Sequence, residues 1–182
     1  LLALVGRAAA VEHFVYTSAG DFEAALPLLA RSDIRGVQVV YNWRMLEPKK
    51  GEYDFSRIEE HLTMADAAGK ELVIQVQDRF FAIEAKNVPD YLLTEPEFGG
   101  GLAPQVENAE EAGSSPYGWV AQQWNPAVRE RYQALLAALA EAFDGRVLAV
   151  NLPETAADVS LHDDKTGFTC DSYFDAEMDN FR

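Results

Sequence analysis

Residues 147–159 read VLAVNLPETAADV, and they give the strongest indication of the fold in this chain. The segment opens with a short apolar run typical of a buried strand and continues into Asn151, Pro153 and Glu154. Pro153 has no amide hydrogen and cannot extend a central ladder, so we expect Glu154 to leave the sheet for the loop beyond it. In parallel α/β folds the carboxyl ends of the strands carry the chemistry. The segment therefore predicts a carboxylate at the functional end of a parallel sheet.

The same order of apolar strand and polar loop recurs earlier in the chain. Residues 13–17 form a β-rich run, residues 37–43 form a second strand that ends in polar and aromatic side chains, and residues 72–76 form a third. A long segment then separates Arg79 from Trp124, and its prolines, glycines and serines predict a functional or mobile loop over the same end of the sheet.

Helical patterns follow these strands. One begins after Asp21, and a second begins at Ser56, with Glu59 three residues later as a capping box. A third begins at Asn125, with a proline in its first turn, and residues 172–182 resemble the first turns of a fourth. Alternating strands and helices predict an α/β fold in which right-handed crossovers join parallel strands.

Four (β/α) units are too few for a closed (β/α)8 barrel, which takes about 250 residues. The sequence starts at Leu rather than Met and ends within a predicted helix. We therefore expect residues 12–182 to be a partial domain, the first half of a (β/α)8 barrel with strands 1–4, truncated in helix 4. Unpaired sheet edges favour association, so a second copy or the missing C-terminal half-barrel is an expected partner.

Composition limits the functional classes. Thirty acidic against fifteen basic side chains give a net charge of −15, which repels nucleic acid and anionic membrane surfaces but tolerates a neutral sugar. The single cysteine, Cys170, excludes an intrachain disulfide and a thiolate metal site, and His162 with its acidic neighbours matches no calcium or zinc loop. No phosphate loop or serine-hydrolase elbow is present, so we expect neither a cofactor nor a metal.

The first eleven residues allow two interpretations. An apolar run followed by Ala8–Ala10 resembles the tail of a secretory signal, which would place the protein outside the cytoplasm or in the periplasm. The alternative is a ragged, mildly apolar terminus.

Several motifs resemble the clan A glycoside hydrolases, a group of TIM-barrel enzymes that includes β-galactosidases and cellulases. The most specific is WRMLEPKKGEYDFSRIEEHL at 43–62, which is similar to the second-strand signature of that group. Supporting segments are VPDYL at 88–92, WNPAVRERYQALLAAL at 124–139 and VLAVNLPETA at 147–156. The resemblance implies retaining hydrolysis of a glycosidic bond, with an acid/base glutamate after the fourth strand and a nucleophile glutamate after the seventh. This chain has no counterpart of the nucleophile, so we expect the fragment alone to be inactive.

Carried onto this sequence, the resemblance makes Glu154 the acid/base and Asn151 the residue that bonds the sugar 2-hydroxyl. The family places Asn and Glu next to each other, whereas Leu152 and Pro153 separate them here. Either Asn151 has another role or the loop carries the carboxylate differently. Without the resemblance, Glu154 is equally well interpreted as an exposed loop glutamate.

Other strand ends supply candidate sugar-binding residues, each with a structural alternative. Trp43 and Trp124 could stack on sugar rings or lie buried in the core. Tyr41 and Asn42 are also candidates, although neighbours on a strand face opposite ways and only one can face the barrel interior. Asp78 and Arg79 would either bind substrate or form an ion pair that orders the loop; these candidates complete the predicted sugar site.

Two further functional classes remain open beside a retaining glycoside hydrolase with a carbohydrate substrate. One is a non-catalytic carbohydrate-binding or scaffold protein with a barrel-like half. The other is a barrel enzyme of different chemistry, because a fold does not fix a function.

Overall fold

A computed structural model describes residues 11–180 of the chain, so residues 1–10 of the predicted N-terminal segment lie outside the described part. The strands are β1 (His13–Ser18), β2 (Ile34–Asn42), β3 (Glu71–Gln77), β4 (Arg79–Phe80), β5 (Leu102–Val106), β6 (Pro116–Ala121) and β7 (Ala149–Asn151). The helices are α1 (Phe22–Leu29), α2 (Trp43–Leu46), α3 (Ser56–Ala67), α4 (Asp90–Thr94), α5 (Pro126–Phe143) and α6 (Cys170–Asp179), and a 3-10 turn covers Pro96–Phe98.

The main sheet has four parallel strands in the order β1-β2-β3-β7. Neighbours in this sheet are consecutive in the chain apart from the inserted small strands, and a helical segment connects each pair. This is the arrangement of successive (β/α) units around a barrel, and it confirms the predicted α/β fold of parallel units.

One face of the main sheet packs against helices and forms the core. Val37, Val39 and Tyr41 of β2 are completely buried, as are Ile74 and Val76 of β3. From the helices the same core receives Phe22, Leu29, Ile58, Leu62, Val128, Tyr132, Leu135, Leu139 and Phe143. Burial at alternate strand positions fixes which residues face the opposite side of the sheet.

The opposite face, which corresponds to a barrel interior, is polar and partly open. Gln38 of β2 donates from Nε2 to Oε1 of Gln75 on β3 at 2.5 Å, and Asn151 Nδ2 of β7 donates to Gln38 Oε1 at 3.2 Å. These amides form a hydrogen-bonded row across three strands, so polar groups on this face satisfy one another.

The segment between Arg79 and Trp124 was predicted to be a long loop, and this was wrong. It holds α4 and a three-stranded antiparallel sheet in the order β4-β6-β5. Pro104 lies on the edge strand β5 and Pro116 starts β6, and these are the positions where a sheet tolerates proline. The prolines that suggested a loop therefore occupy permitted sites in strands.

The fourth parallel strand is shorter and more open than predicted. β7 has three residues, all of them exposed, and Leu148 beside it is also exposed. It pairs with β3 on one side and is the edge strand of the sheet among the described residues. A strand without a neighbour on its second side leaves its apolar residues in contact with solvent.

The helix starts were predicted with mixed success. Asn125 caps α5 by accepting a hydrogen bond from the Ala127 amide, as expected. The Ser56 capping box was wrong: Phe55 occupies the cap position without a side-chain hydrogen bond, and Glu59 instead forms an ion pair with Arg146.

Within residues 11–180 no helix combines the length and apolar character needed to cross a membrane.

Candidate active site

A cleft of about 400 Å³ opens at the carboxyl ends of the parallel strands. Its lining comes from β1, β3, β4 with the residue after it, and the loop after β7: Tyr16, Gln75, Gln77, Arg79, Phe81, Leu152, Pro153 and Glu154. Most of these side chains are neutral, and two are exposed aromatic rings, Tyr16 and Phe81. The cleft can therefore hold a neutral, polar ligand with flat apolar faces.

Glu154 is an exposed carboxylate in the wall of this cleft. β7 ends at Asn151, and Leu152 and Pro153 carry the chain off the sheet, so that Glu154 lies beyond the strand end. Gln75 and Gln77 of the neighbouring strand line the same cleft. The carboxylate thus lies at the rim formed by the strand ends.

The loop that carries Glu154 is tied to the small sheet. The Val106 amide donates to the Asp158 carbonyl at 2.8 Å, and Gln105 forms an antiparallel bridge with Val159. Tyr117 donates from its hydroxyl to Asp158 Oδ2 at 2.7 Å. The small sheet therefore fixes the loop a few residues beyond the carboxylate.

The pKa of Tyr117 is affected by the acidic residues near the cleft. Its partial burial, together with its hydrogen bond to Asp158 and the charges of Asp158 and Glu154, raises the pKa of Tyr117 to about 12. The phenol therefore stays protonated, and remains a hydrogen-bond donor to Asp158, to a higher pH than an ordinary tyrosine.

Arg79 connects the main sheet, the Glu154 loop and α6. Its side chain is 1% exposed, and Nη1 donates to the Ala156 carbonyl at 2.5 Å while Nη2 donates to the Tyr173 hydroxyl at 3.1 Å. Nε donates to Asp78 Oδ1 at 3.2 Å, and Nη2 lies 3.7 Å from Glu177 Oε1. The guanidinium thus donates its hydrogen bonds to protein groups and acts as an internal clamp, which means that it holds the Glu154 loop and α6 against the small sheet.

The acidic partners of Arg79 are also internal. Asp78 is buried, and its Oδ2 accepts a hydrogen bond from Gln123 Nε2 at 2.9 Å. Burial, reinforced by the nearby Asp78 charge, raises the pKa of Glu177 above its ordinary value, while Arg79 and Tyr173 partly oppose this. The expectation that Asp78 and Arg79 bind substrate is therefore corrected: their polar atoms serve the fold, although part of Arg79 contributes to the cleft wall.

Asn42 and Asn151 both lie on the polar face of the main sheet. Asn42 ends β2 opposite Gln77, and its Oδ1 caps α2 by accepting from the Met45 amide at 3.0 Å. Asn151 is exposed and is held by Gln38. Both are near the strand ends, but only Asn151 lies on the strand that leads into the Glu154 loop.

Tyr41 and Trp43 belong to the core and not to the cleft. Tyr41 faces the helices and shares a 2.8 Å hydrogen bond with His61 Nδ1. Trp43 is 0% exposed, donates from Nε1 to Glu47 at 2.9 Å and packs edge-on against Tyr132. Neither ring has a face open to a sugar, so their predicted ligand contacts are corrected to core packing.

Trp124 is likewise a packing residue. It donates from Nε1 to the Thr166 carbonyl at 3.1 Å and meets Phe168 and Tyr173 edge-on. With Val159 these rings form a second apolar cluster that holds the C-terminal segment against the small sheet. Trp124 does not line the cleft that contains Glu154.

The sequence analysis missed Tyr16, Gln75, Gln77 and Phe81 as lining residues. Gln75 and Gln77 carry a detectable signal, since they alternate with the buried Ile74 and Val76 along β3, whereas no residue of β1 is buried and Tyr16 shows no such pattern. Phe81 follows a two-residue strand, which is too short to show any periodicity.

No cluster of three or more potential metal-ligating side chains occurs in the part of the chain that the structure describes. The acidic loop at 162–164 is instead used internally, since Asp164 accepts hydrogen bonds from Thr166 and the Phe168 amide.

Comparisons with known proteins agree with this geometry at the level of fold. No protein-family model matches the sequence, and no curated protein is significantly similar to it. Among solved structures, the catalytic domain of β-amylase from Paenibacillus polymyxa matches with a TM-score of 0.57 and 15% identity, covering 79% of this chain and 38% of that one.

Two further solved structures are similar. A family 39 glycoside hydrolase from the gut symbiont Bacteroides cellulosilyticus WH2 matches with a TM-score of 0.49 and 14% identity, covering 80% of this chain and 26% of that one. The β-glycosidase BGL167 matches with a TM-score of 0.49 and 13% identity, covering 75% and 26%.

The chain thus spans less than half the length of each of these three solved structures. At these identities the likeness concerns the fold alone. The resemblance to barrel glycoside hydrolases is confirmed for the fold: the chain has the fold of part of a (β/α)8 barrel.

Proposed function

We propose that this chain contributes the acid/base half of a glycoside hydrolase active site, with Glu154 as the general acid and base. The observation that carries the proposal is the position of Glu154 in a cleft at the strand ends, beside Gln75 and Gln77. A carboxylic acid there can protonate the departing glycosidic oxygen, and the conjugate base can then activate water.

The remaining cleft residues fit a sugar. The amides of Gln75 and Gln77 can donate to and accept from hydroxyl groups, and the exposed ring of Tyr16 offers a flat apolar surface beside them. Asn151 faces the same side of the sheet, and its amide would bond a sugar hydroxyl if it exchanged its contact with Gln38.

Retaining hydrolysis needs a second carboxylate about 5 to 5.5 Å from the first. Glu154 is the only carboxylate that lines the cleft among the described residues. In the proposed enzyme the nucleophile therefore comes from strands that complete the barrel, and this chain supplies the acid/base side.

The same observation favours a second candidate, a carbohydrate-binding protein without catalysis. A cleft with one carboxylate, two side-chain amides and two exposed aromatic rings can bind a sugar without cleaving it. The two candidates differ in a single respect, which is whether Glu154 transfers a proton.

Replacing Glu154 with Gln in the native protein separates them. General acid catalysis contributes about 10²–10⁴-fold, so E154Q should lower kcat/KM by this factor on glycosides with poor leaving groups and much less on activated aryl glycosides. Glu130→Gln, an exposed glutamate on α5, is the matched control. Equal losses on both substrate types would refute the acid/base role, and sugar binding without hydrolysis by the unmodified protein would favour the second candidate.

A further inference from the structure

One aromatic ring in the cleft wall is more than half exposed. Phe81 follows β4 and is 56% exposed, although it lines the same cleft as Glu154. Its ring lies parallel to that of Tyr117 on β6, with an interplanar angle of 7° and centroids 6.4 Å apart. We call these two rings the Phe81–Tyr117 pair; Phe81 is its exposed ring in the cleft, and Tyr117 stacks against it.

The backbone holds this pair in place. Phe80 pairs with Trp119, and Trp119 donates from Nε1 to the Ile83 carbonyl at 2.7 Å, so both sides of Phe81 are fixed to β6. Gly118 permits the close approach, because a Cβ at that position would lie 2.1 Å from the Phe80 carbonyl oxygen. An exposed ring held in one position loses little conformational freedom when a ligand packs on it.

Phe81 and the strand ends line the same cleft as Glu154, but they come from different sheets. Gln75, Gln77 and Tyr16 mark the mouth of the barrel, whereas Phe81 belongs to the small sheet. Tyr117 is joined to the Glu154 loop through Asp158. A general acid must sit beside the oxygen that links the two halves of its substrate, so the two halves extend to opposite sides of Glu154.

We propose that the Phe81–Tyr117 pair is the binding subsite for the leaving-group sugar, and that it takes a neutral pyranose. This inference rests on the proposed function of Glu154 as the acid that protonates the leaving group. The carbon-bound hydrogens on a pyranose face pack on an aromatic ring, and the ring hydroxyls remain free for solvent or for Asp158.

Charge defines the class of sugar. Glu154 and Asp158 flank the pair, and the chain carries a net charge of −15. Lys86, in the loop after β4, is placed over the Trp119 ring at 4.0 Å from its centroid, and Arg79 of β4 is buried and paired with Asp78 and Glu177. Uronic acids and sugar phosphates would therefore be repelled from this subsite, and neutral sugars would not.

Binding measurements on the native protein test the subsite without requiring turnover. Cellobiose, lactose and maltose serve as disaccharide probes, with glucose and galactose as monosaccharide probes, in calorimetric titrations. Phe81→Ala should weaken binding of the preferred disaccharide about ten-fold and leave the matching monosaccharide unchanged. Phe81→Tyr should restore the affinity, because it keeps the ring. Phe174→Ala, which removes a ring 64% exposed on α6 outside the cleft, should have no effect.

The outcome is independent of whether Glu154 is catalytic. Disaccharide binding that is unchanged in F81A, or monosaccharide binding that falls equally, would overturn the subsite even if E154Q abolishes hydrolysis. If F81A selectively weakens disaccharide binding while E154Q leaves the leaving-group dependence intact, the surface binds sugar but the proposed function fails. In an active enzyme, F81A should also lower kcat/KM for disaccharides more than for glycosyl fluorides, and an equal loss would contradict the assignment.

Discussion

Replacing Arg79 with Met should destabilise the fold by about 3–5 kcal/mol, the usual loss when one partner of a buried ion pair is removed. The side chain is 1% exposed and contacts Asp78, Ala156, Tyr173 and Glu177. Methionine fills a similar volume, so the loss comes from unpaired polar groups and not from a cavity. Since whole domains are stable by about 5–15 kcal/mol, this loss is a large part of the total.

Urea unfolding followed by circular dichroism measures the effect of R79M. Arg31→Met is the control, since Arg31 and Asp33 pair at the surface with 59% and 54% of their side chains exposed, and such pairs contribute about 0–1 kcal/mol. Adding Asp78→Asn to R79M should recover part of the loss, because the buried charge left by the first change is removed. A loss below about 1 kcal/mol for R79M would refute the interpretation of Arg79 as a clamp.

Two other predictions concern the fold around the cleft. Burial lowers the pKa of His61 below its ordinary 6.5, so as the pH falls the unfolded chain is protonated before the folded chain. The free energy of unfolding should therefore fall as the pH drops below about 6.5, by at most about 1.4 kcal/mol per pH unit. We expect the free energy of unfolding of the unmodified chain to approach that of His61→Gln as the pH is lowered from about 8 to 5. Parallel plots of the two free energies against pH would contradict this. Gly118→Ala should lower the free energy of unfolding, measured with urea, by about 1–3 kcal/mol, because its Cβ would clash with the Phe80 carbonyl oxygen. Gly20→Ala is the control: its Cβ would lie 3.7 Å from the nearest atom, so its free energy of unfolding should change by less than about 0.5 kcal/mol. Equal losses for the two alanines would exclude crowding as the cause.

The parallel half of the fold was predictable because β2 and β3 are rich in β-branched apolar residues and polar residues follow them. β2 and β3 are buried on their helix side, where Val39 of β2 lies beside Ile74 of β3, so the pattern and the structure agree. The antiparallel sheet was not predictable in this way. Its strands are short, and Pro104 and Pro116 interrupt the usual signals although both occupy permitted positions.

The site was predictable only in part, for a related reason. A motif and a proline identified the loop of Glu154, but the direction of the other side chains depends on strand parity and on what covers each face. Tyr41 points at His61 in the core, and Trp43 begins α2, where strand parity no longer applies. Phe81 enters the cleft because β4 pairs with β6, a contact between residues far apart in sequence.

The two sheets have different roles at the cleft. The parallel sheet provides the polar face and the strand ends, and the small sheet holds the Glu154 loop through Val106 and Tyr117. Arg79 joins the two because it lies on β4 and bonds the Ala156 carbonyl. We therefore attribute the position of the carboxylate to the insertion between the third and fourth parallel strands as much as to the strand before it.

The most direct test of this account is an NMR titration of the ¹⁵N-labelled chain with cellobiose, lactose and maltose at millimolar concentrations. The account predicts that one of these sugars shifts the amide signals of Gln75, Gln77, Phe81 and Glu154, while those of Trp124 and Thr166 stay in place. Shifts centred on Trp124, or no shifts with any of the three sugars, would contradict the claim that the cleft at the strand ends is a carbohydrate site.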